Sequence, residues 1–186
     1  DADISSNILK KILKKVLSTT FNAITVDSDT STNDSVVIFS TKKVKLGNLT
    51  SISSPTIIKF EEALRTVCLD LAKQVVVDGE GAKKFITVKI VNSKSVSAAK
   101  KIAFSIANSP LIKTAVGGED PNWGRIVMGI GKSCEKIDLK KLTIKLGEFI
   151  IAEKGKISES YDENKLKEYM KWDSIFIEVN LNLGKD

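Results

Sequence analysis

The sequence contains no histidine among its 186 residues, and this absence excludes several classes of enzyme. A serine or cysteine nucleophile activated by histidine cannot be assembled from this chain alone, and neither can a zinc site built on histidine. Any general base in a reaction that the chain supports must therefore be another group.

Cysteine is scarce as well, since the chain has only Cys68 and Cys134, which lie far apart and outside any Cys-x-x-Cys spacing. Cys68 is flanked by apolar residues, and free cysteines are among the most buried residue types. The pattern predicts two buried free thiols and no disulfide framework. The clustered carboxylates show neither calcium-loop nor zinc spacing, so we expect no metal and no organic cofactor.

Arginine is nearly absent: the 29 basic residues include only Arg65 and Arg125, although the formal net charge is +6. Arginine is the residue that contacts base edges with two hydrogen bonds, and the densest lysine run, residues 10–15, has no interleaved aromatics. We interpret this run as the solvated face of a helix rather than a phosphate-binding patch, and we expect no nucleic-acid partner.

Long apolar runs are also missing, because no stretch approaches the roughly 18 residues that a membrane span requires. The N-terminus has no apolar segment followed by a cleavage pattern. We therefore expect a cytoplasmic protein without a membrane partner.

The chain does have the 42% apolar and 28% charged residues of an ordinary globular domain, with helix and strand patterns interleaved throughout. This order predicts an α/β or α+β fold with a mixed sheet. A domain boundary is predicted near residue 91, giving units 1–91 and 92–186, and a weaker candidate boundary is Gly47 to Ser54. The predicted helices are 4–21, 55–75, 95–108, 125–129 and 162–171, and the predicted strands are 24–26, 36–40, 85–91, 142–146, 148–153 and 175–183.

Two polar segments of the chain could either cap themselves or serve a site. Residues 27–34 crowd hydroxyls and carboxylates between two predicted strands, where such side chains bond their own backbone or line a polar pocket. In Asp78-Gly79-Glu80-Gly81, two glycines bracket one carboxylate. Glu80 therefore belongs either to a helix C-cap turn or to an exposed site for a substrate ammonium.

A third polar segment, residues 113–125, contains Gly117-Gly118-Glu119-Asp120-Pro121 and at first resembles a phosphate cradle. It lacks the spacing of the phosphate-binding loop, and its two carboxylates would repel a phosphate. An interaction loop or an active-site loop fixed by Pro121 and Trp123 explains these residues as well as a phosphate cradle does.

Three strings in these segments resemble the C-terminal (β) chain of ornithine acetyltransferase, the glutamate N-acetyltransferase of the cyclic arginine pathway. The strings are FNAITVDSDTSTND, VVVDGEGAKKFITV and SPLIKTAVGGEDPNWGRI, which together form about a quarter of the chain. They stand in the order expected for that family. The departures are Ser28, where the family usually has glycine, and Lys83, where it usually has threonine.

The resemblance implies a self-cleaving enzyme whose β chain begins with a nucleophilic threonine, expected a few residues before Asp1. No catalytic residue is therefore expected within the chain as given, and none of Thr30, Thr32 and Thr114 is a candidate nucleophile. Acetyl would pass from N2-acetylornithine to this threonine and then to glutamate, and a terminal amine can act as the base in such a step. Glu80 is the one site residue that the resemblance carries over, as the carboxylate that meets the substrate's positive end.

The resemblance also implies the partners and the fold. The fold would be a layered α/β/β/α core completed by an α chain from the same precursor, with a smaller C-terminal α+β lobe, in an α2β2 assembly. The α chain would supply the oxyanion-stabilising threonine and glycine, and an asparagine-containing tail would continue beyond Lys185-Asp186. Acetyl-CoA is left open as a second acetyl donor. The alternatives are a related amidase or aminopeptidase with an N-terminal nucleophile, and a non-catalytic scaffold module.

Overall fold

The structure, a computed structural model, describes residues 1–47 and 51–184. The chain divides into two compact units, Asp1–Gly79 and Glu80–Asp186. The candidate boundary at Gly47 to Ser54 falls partly outside the described residues, as does the Lys185-Asp186 end. No helix in the described ranges is long and apolar enough to cross a membrane.

The described part of the first unit contains two α-helices, α1 (Ser6–Leu17) and α2 (Pro55–Val77), and a short 3-10 helix at Phe21–Ala23. The Ser5 and Ser54 side chains accept hydrogen bonds from backbone N–H groups in the first turns of α1 and α2, as expected for helix N-caps. The four lysines of α1 are exposed, as a solvated helix face requires. The buried core of this unit contains Ile4, Ile8, Leu9, Ile12, Val16, Ile57 and Cys68.

The predicted strands 24–26 and 36–40 are wrong for the described chain. Both segments are irregular, and the described part of the first unit holds only one isolated bridge, between Ala2 and Val44. A β-branched run forms a strand only when another strand supplies its hydrogen-bond ladder. The described residues of this unit offer none, and Val37 and Phe39 are largely exposed.

The second unit has a five-stranded mixed sheet with helices packed against one face. The strand order is β1-β5-β2-β3-β4, in which β1 and β5 are parallel and the other pairs are antiparallel. The strands are β1 (Phe85–Val91), β2 (Thr143–Leu146), β3 (Phe149–Glu153), β4 (Lys156–Ile157) and β5 (Ser174–Asn180). The helices are α3 (Val96–Ala107), α4 (Pro110–Gly117), α5 (Trp123–Lys132) and α6 (Glu163–Met170).

Alternation along β5 determines which face of the sheet is buried. Ile175, Ile177 and Val179 are buried in one core with apolar residues of all four helices, whereas Glu178 lies on the opposite face. There Glu178 pairs with Lys89 of β1 at 3.4 Å and with Lys145 of β2 at 3.5 Å. The predicted α/β class with a mixed sheet is thereby confirmed.

Several boundaries differ from the sequence-based expectations. Residues 110–117, for which the sequence predicts no helix, form α4, because Ser109 caps its start and Pro110 fits its first turn. The compact units divide after Gly79 rather than near residue 91, because β1 pairs with β5 along its whole length. Cys134 is exposed, so the prediction of two buried thiols holds only for Cys68.

Candidate functional site

Glu80 lies in a turn that follows α2. Asp78 is the C-cap of that helix, and Gly81 has a φ of +71°, a left-handed conformation that favours glycine. The Glu80 side chain is exposed, and within residues 1–47 and 51–184 no hydrogen bond or ion pair engages its carboxylate. The turn therefore ends a helix, as the C-cap interpretation predicts, and it also presents a carboxylate to solvent.

The Lys84 side chain fixes the chain just after this turn. Its Nζ donates to Glu119 Oε1 at 3.1 Å, to the Met170 carbonyl at 2.7 Å and to the Trp172 carbonyl at 3.2 Å. Only 11% of the Lys84 side chain is exposed, so these three acceptors take the place of most of its hydration. One ammonium thus joins the residues after the Glu80 turn to the α4–α5 loop and to the C-terminal end of α6.

Sequence reasoning missed Lys84, although the sequence contains a signal for it. Side chains alternate between the faces of a strand, and Ile86, Val88 and Ile90 of β1 pack against the core. Lys84 has the same parity as these residues, whereas Lys83 has the opposite parity and is exposed. Extending the alternation one step before β1 distinguishes the two lysines.

The loop between α4 and α5 carries two further carboxylates, one of which, Glu119, accepts the hydrogen bond from Lys84. Glu119 has a φ of +59°, and its N–H donates to the Val116 carbonyl at 3.2 Å. The Asp120 N–H donates to the Ala115 carbonyl at 2.8 Å, and the Asp120 carboxylate accepts from Asn122 Nδ2 at 3.2 Å. These bonds hold the loop close to the end of α4.

Polar groups beyond the loop argue against a phosphate cradle. Asn122 caps α5 by accepting a hydrogen bond from the Arg125 N–H at 3.3 Å. The Arg125 guanidinium is itself engaged, since it donates to the Leu111 carbonyl at 2.7 Å and to Thr114 Oγ1 at 2.9 Å. The start of α5 therefore already has its acceptor, and the nearest arginine holds α4 and α5 together.

The hydroxyl of Tyr161 is affected by nearby carboxylates, among them Asp120 of the α4–α5 loop. Burial raises the pKa of its hydroxyl, and the carboxylates of Glu163 and Asp120 raise the pKa further. The hydroxyl therefore remains protonated at neutral pH. It can donate a hydrogen bond, but it does not act as a base.

The polar loop at residues 27–34 belongs to the first unit and bonds largely to itself. The Asp27 carboxylate accepts from the Asp29 N–H at 2.8 Å, and Ser31 Oγ accepts from the N–H groups of Asn33 and Asp34 at 3.3 and 3.0 Å. All eight side chains are exposed. This geometry fits the self-capping interpretation, and no nucleophile and base are paired in the loop.

The remaining candidate groups show no reactive arrangement. Cys68 is buried, and burial raises the pKa of its thiol, which favours the unreactive protonated form. Among the described residues no group of histidine, cysteine or carboxylate side chains is placed to hold a metal ion. Glu80, the predicted site residue, differs from these groups in that its carboxylate is exposed and has no partner among the described residues.

Comparison with family models and solved structures gives one consistent result. The model described as the ArgJ family matches residues 1–186. The structure is similar to the crystal structure of arginine biosynthesis bifunctional protein ArgJ from Bacillus halodurans, with a TM-score of 0.90 and 35% sequence identity. That match covers 100% of this chain and 86% of the Bacillus chain.

Curated relatives carry the same name. Arginine biosynthesis bifunctional protein ArgJ from Brucella melitensis is 44% identical over 188 residues, which cover 100% of this chain and 46% of the relative. The protein of that name from Bartonella quintana is 47% identical over 187 residues, covering 99% of this chain and 45% of the relative. The chain thus spans about half the length of the curated relatives that it matches.

Proposed function

Because this chain belongs to the ArgJ family, we propose that it is the β chain, the C-terminal part, of a self-processed ornithine acetyltransferase. In this role it moves an acetyl group from N2-acetylornithine to glutamate in arginine biosynthesis. The observation that carries the proposal is the family match over every residue of the chain, together with the three strings of the β chain.

The reaction proceeds in two transfers through a threonine at the start of the processed β chain. The threonine hydroxyl attacks the acetyl carbonyl of N2-acetylornithine, the amide C–N bond breaks, and the hydroxyl proton leaves with the ornithine amine. The amine of glutamate then attacks the acetyl-threonine ester, forms N-acetylglutamate and returns a proton to the threonine oxygen. The terminal amine serves as the base in both transfers, which suits a chain without histidine.

Glu80 binds the positive end of the substrate in this proposal. Its exposed carboxylate has no protein partner among the described residues, so a substrate ammonium need not displace one. A charge-assisted hydrogen bond is stronger than a neutral one, and it strengthens further when the bound substrate excludes water. Loss of the carboxylate should weaken substrate binding more than it slows the chemical step.

The proposed partner is an α chain derived from the same precursor. The Bacillus ArgJ chain in the crystal structure is itself about half as long as the curated relatives, which fits a precursor cleaved into two chains. An α2β2 assembly is the form that we propose. Acetyl-CoA as a second donor and a cytoplasmic location remain predictions.

Exposed apolar side chains of α2 also support a partner chain. We call these residues the apolar surface of α2, and they extend around much of the helix, which is typical of a buried helix rather than a solvated one. They are Ile58, Val67, Leu69, Leu71, Val75 and Val77.

The intact mass of the full-length gene product tests this proposal. After incubation with N2-acetylornithine and no glutamate, we expect two chains and one acetyl group on a β chain that begins with threonine. Adding glutamate should release that acetyl group as N-acetylglutamate. A variant with alanine in place of the threonine is the control, and it should remain one uncleaved chain without acetyl.

Two other results would contradict the transferase. A wild-type product that stays uncleaved and takes up no acetyl indicates a scaffold module. Cleavage followed by release of acetyl to water, with no transfer to glutamate, indicates an amidase or aminopeptidase of the same type.

A further inference from the structure

The Glu80 turn has few attachments of its own on the side that leads into β1. In the parts of the chain that the structure describes, residues 80 and 81 form a local turn, and no backbone hydrogen bond joins residues 80–83 to another element. The first attachments after Glu80 are the three hydrogen bonds of Lys84 Nζ and the bond from the Phe85 N–H to the Asp173 carbonyl at 2.7 Å. The position of the Glu80 carboxylate therefore depends on how firmly Lys84 is held.

The acceptors of Lys84 are themselves held in place. Glu119 follows α4 directly, and the hydrogen bonds of the Glu119 and Asp120 N–H groups fix its backbone. The Met170 and Trp172 carbonyls lie at the end of α6, whose Met170 side chain is buried in the core. Because each of the three N–H donors of the Lys84 ammonium has an acceptor on the protein, the position of the ammonium is specified in three directions.

From this geometry we infer that Lys84 is a positioning residue, which holds the Glu80 carboxylate where the substrate ammonium binds. The inference rests on the proposed function, in which Glu80 contacts the substrate. An exposed ion pair contributes little to stability, but Lys84 is largely buried and its removal leaves Glu119 and two carbonyls without their donor. Lys84 itself contacts neither substrate nor reacting atoms in this assignment.

The neighbouring Lys83 provides a matched control. It has the same charge and length and lies in the same segment, but it is exposed, and no described residue forms an ion pair or hydrogen bond with it. Replacing either lysine by methionine removes one positive charge at nearly the same place in the sequence. A difference between the two variants therefore reports the contacts of Lys84 rather than the charge of the turn.

Steady-state kinetics of the full-length gene product test the inference. For Lys84→Met we expect the KM for N2-acetylornithine to rise about tenfold while kcat changes by less than about threefold, since loss of equal ground-state and transition-state binding raises KM alone. Lys83→Met should stay within about twofold of wild type in both constants. Lys84→Arg should recover most of the loss because a guanidinium also donates several hydrogen bonds.

A double-mutant cycle asks whether Lys84 acts through Glu80. The variant Glu80→Gln/Lys84→Met should have a KM within about twofold of that of Glu80→Gln alone. Once the Glu80 carboxylate has been removed, Lys84 has no carboxylate to position, so its loss should not raise KM further. If the two substitutions each raise KM by the same factor in the double variant as they do singly, the inference is overturned, because Lys84 then acts independently of Glu80.

The same variants separate failure of the inference from failure of the proposed function. An unchanged KM in Glu80→Gln contradicts the proposed role of Glu80. It then also contradicts the inference that Lys84 positions the Glu80 carboxylate for the substrate. A raised KM in Glu80→Gln with an unchanged KM in Lys84→Met overturns the positioning role alone. Where Lys84→Met does not fold, as judged by thermal unfolding, Glu119→Gln serves instead, and it should raise KM by about threefold with kcat retained.

Discussion

At the scale of single residues, Ser28 adopts a backbone conformation that its side chain disfavours. Its φ is +85°, and it stands where the family usually has glycine. A left-handed conformation costs about 1–2 kcal/mol for a residue with a Cβ atom and little for glycine. The departure from the family pattern therefore has an energetic consequence that can be measured.

We predict that Ser28→Gly unfolds with a free energy about 1 kcal/mol higher than Ser28→Ala. Both variants lack the serine hydroxyl, so the comparison isolates the effect of the Cβ atom. Chemical denaturation of the full-length gene product measures the difference. Equal stabilities, or a more stable alanine variant, would contradict strain at this position.

Gly147 is the opposite case, because here the glycine is present and a Cβ would have no room. Its φ is +57°, and a Cβ at this position would lie 2.8 Å from Tyr169 Cζ. That tyrosine is buried, and its hydroxyl accepts a hydrogen bond from the Phe176 N–H at 2.8 Å. The ring therefore cannot move without losing this bond to β5.

We predict that Gly147→Ala lowers the free energy of unfolding by about 2–4 kcal/mol, from backbone strain and overpacking together. The control is Gly131→Ala in α5, where a Cβ meets nothing within 4 Å and the backbone is helical. Alanine should leave stability there unchanged or raise it by up to about 1 kcal/mol. Similar stability losses in both variants would argue against the close approach of Tyr169.

At the scale of secondary structure, two serines at the start of α3 have different roles. The Ser95 side chain accepts a hydrogen bond from the Ala98 N–H at 3.2 Å, whereas Ser97 lies exposed inside the helix. A serine N-cap satisfies one of the unpaired N–H groups of the first turn.

We predict that Ser95→Ala lowers the free energy of unfolding by about 1 kcal/mol. Ser97→Ala should have no cost and should stabilise slightly, because alanine has the higher helix propensity. Thermal unfolding of the two variants makes the comparison. The reverse order of stability would mean that α3 begins at a different residue.

Local chemistry explains which elements the sequence could predict. Strand β1 has the bounds predicted from its β-branched run, and its partner β5 lies within the same unit. Residues 36–40 carry a similar run, but a strand also needs a neighbour, which local sequence does not identify. Helix α4 was missed because Ser109, Pro110 and Gly117 cap and end a short helix with the residue types that also form turns.

For the candidate site, too, the sequence could predict features of adjacent residues but not contacts between distant ones. The exposed turn that carries Glu80 could be predicted because two glycines mark it, and the substrate-binding role of Glu80 stays a prediction from a family string. The contact between Lys84 and Glu119 joins residues 35 positions apart, so it depends on the packing of β1, α4 and α6. Strand alternation could suggest that Lys84 faces inward, but it could not name its acceptors.

At the scale of the whole molecule, the apolar surface of α2 predicts how the assembly responds to a charge. Val67 is 56% exposed in this chain, so Val67→Glu in an isolated chain should change stability by less than about 0.5 kcal/mol. If a partner chain covers α2, the buried charge should lower the Tm of the full-length gene product by several degrees and weaken its assembly.

Light scattering and thermal unfolding of that product check this prediction. Val96→Glu is the control, because Val96 is 72% exposed at the start of α3, where a negative charge is favourable. Identical mass and Tm for the two variants would mean that α2 faces solvent in the assembled protein.

The parallel pairing of β1 with β5 has a consequence for synthesis on the ribosome. Within residues 1–47 and 51–184, the strand that is made first in the second unit has the strand made last as its one neighbour in the sheet. At a translation rate of about 5–20 residues per second, β1 leaves the ribosome several seconds before β5 exists. During that interval the backbone N–H and C=O groups of β1 lack their partners in β5, and a truncated product that ends before residue 174 cannot supply them.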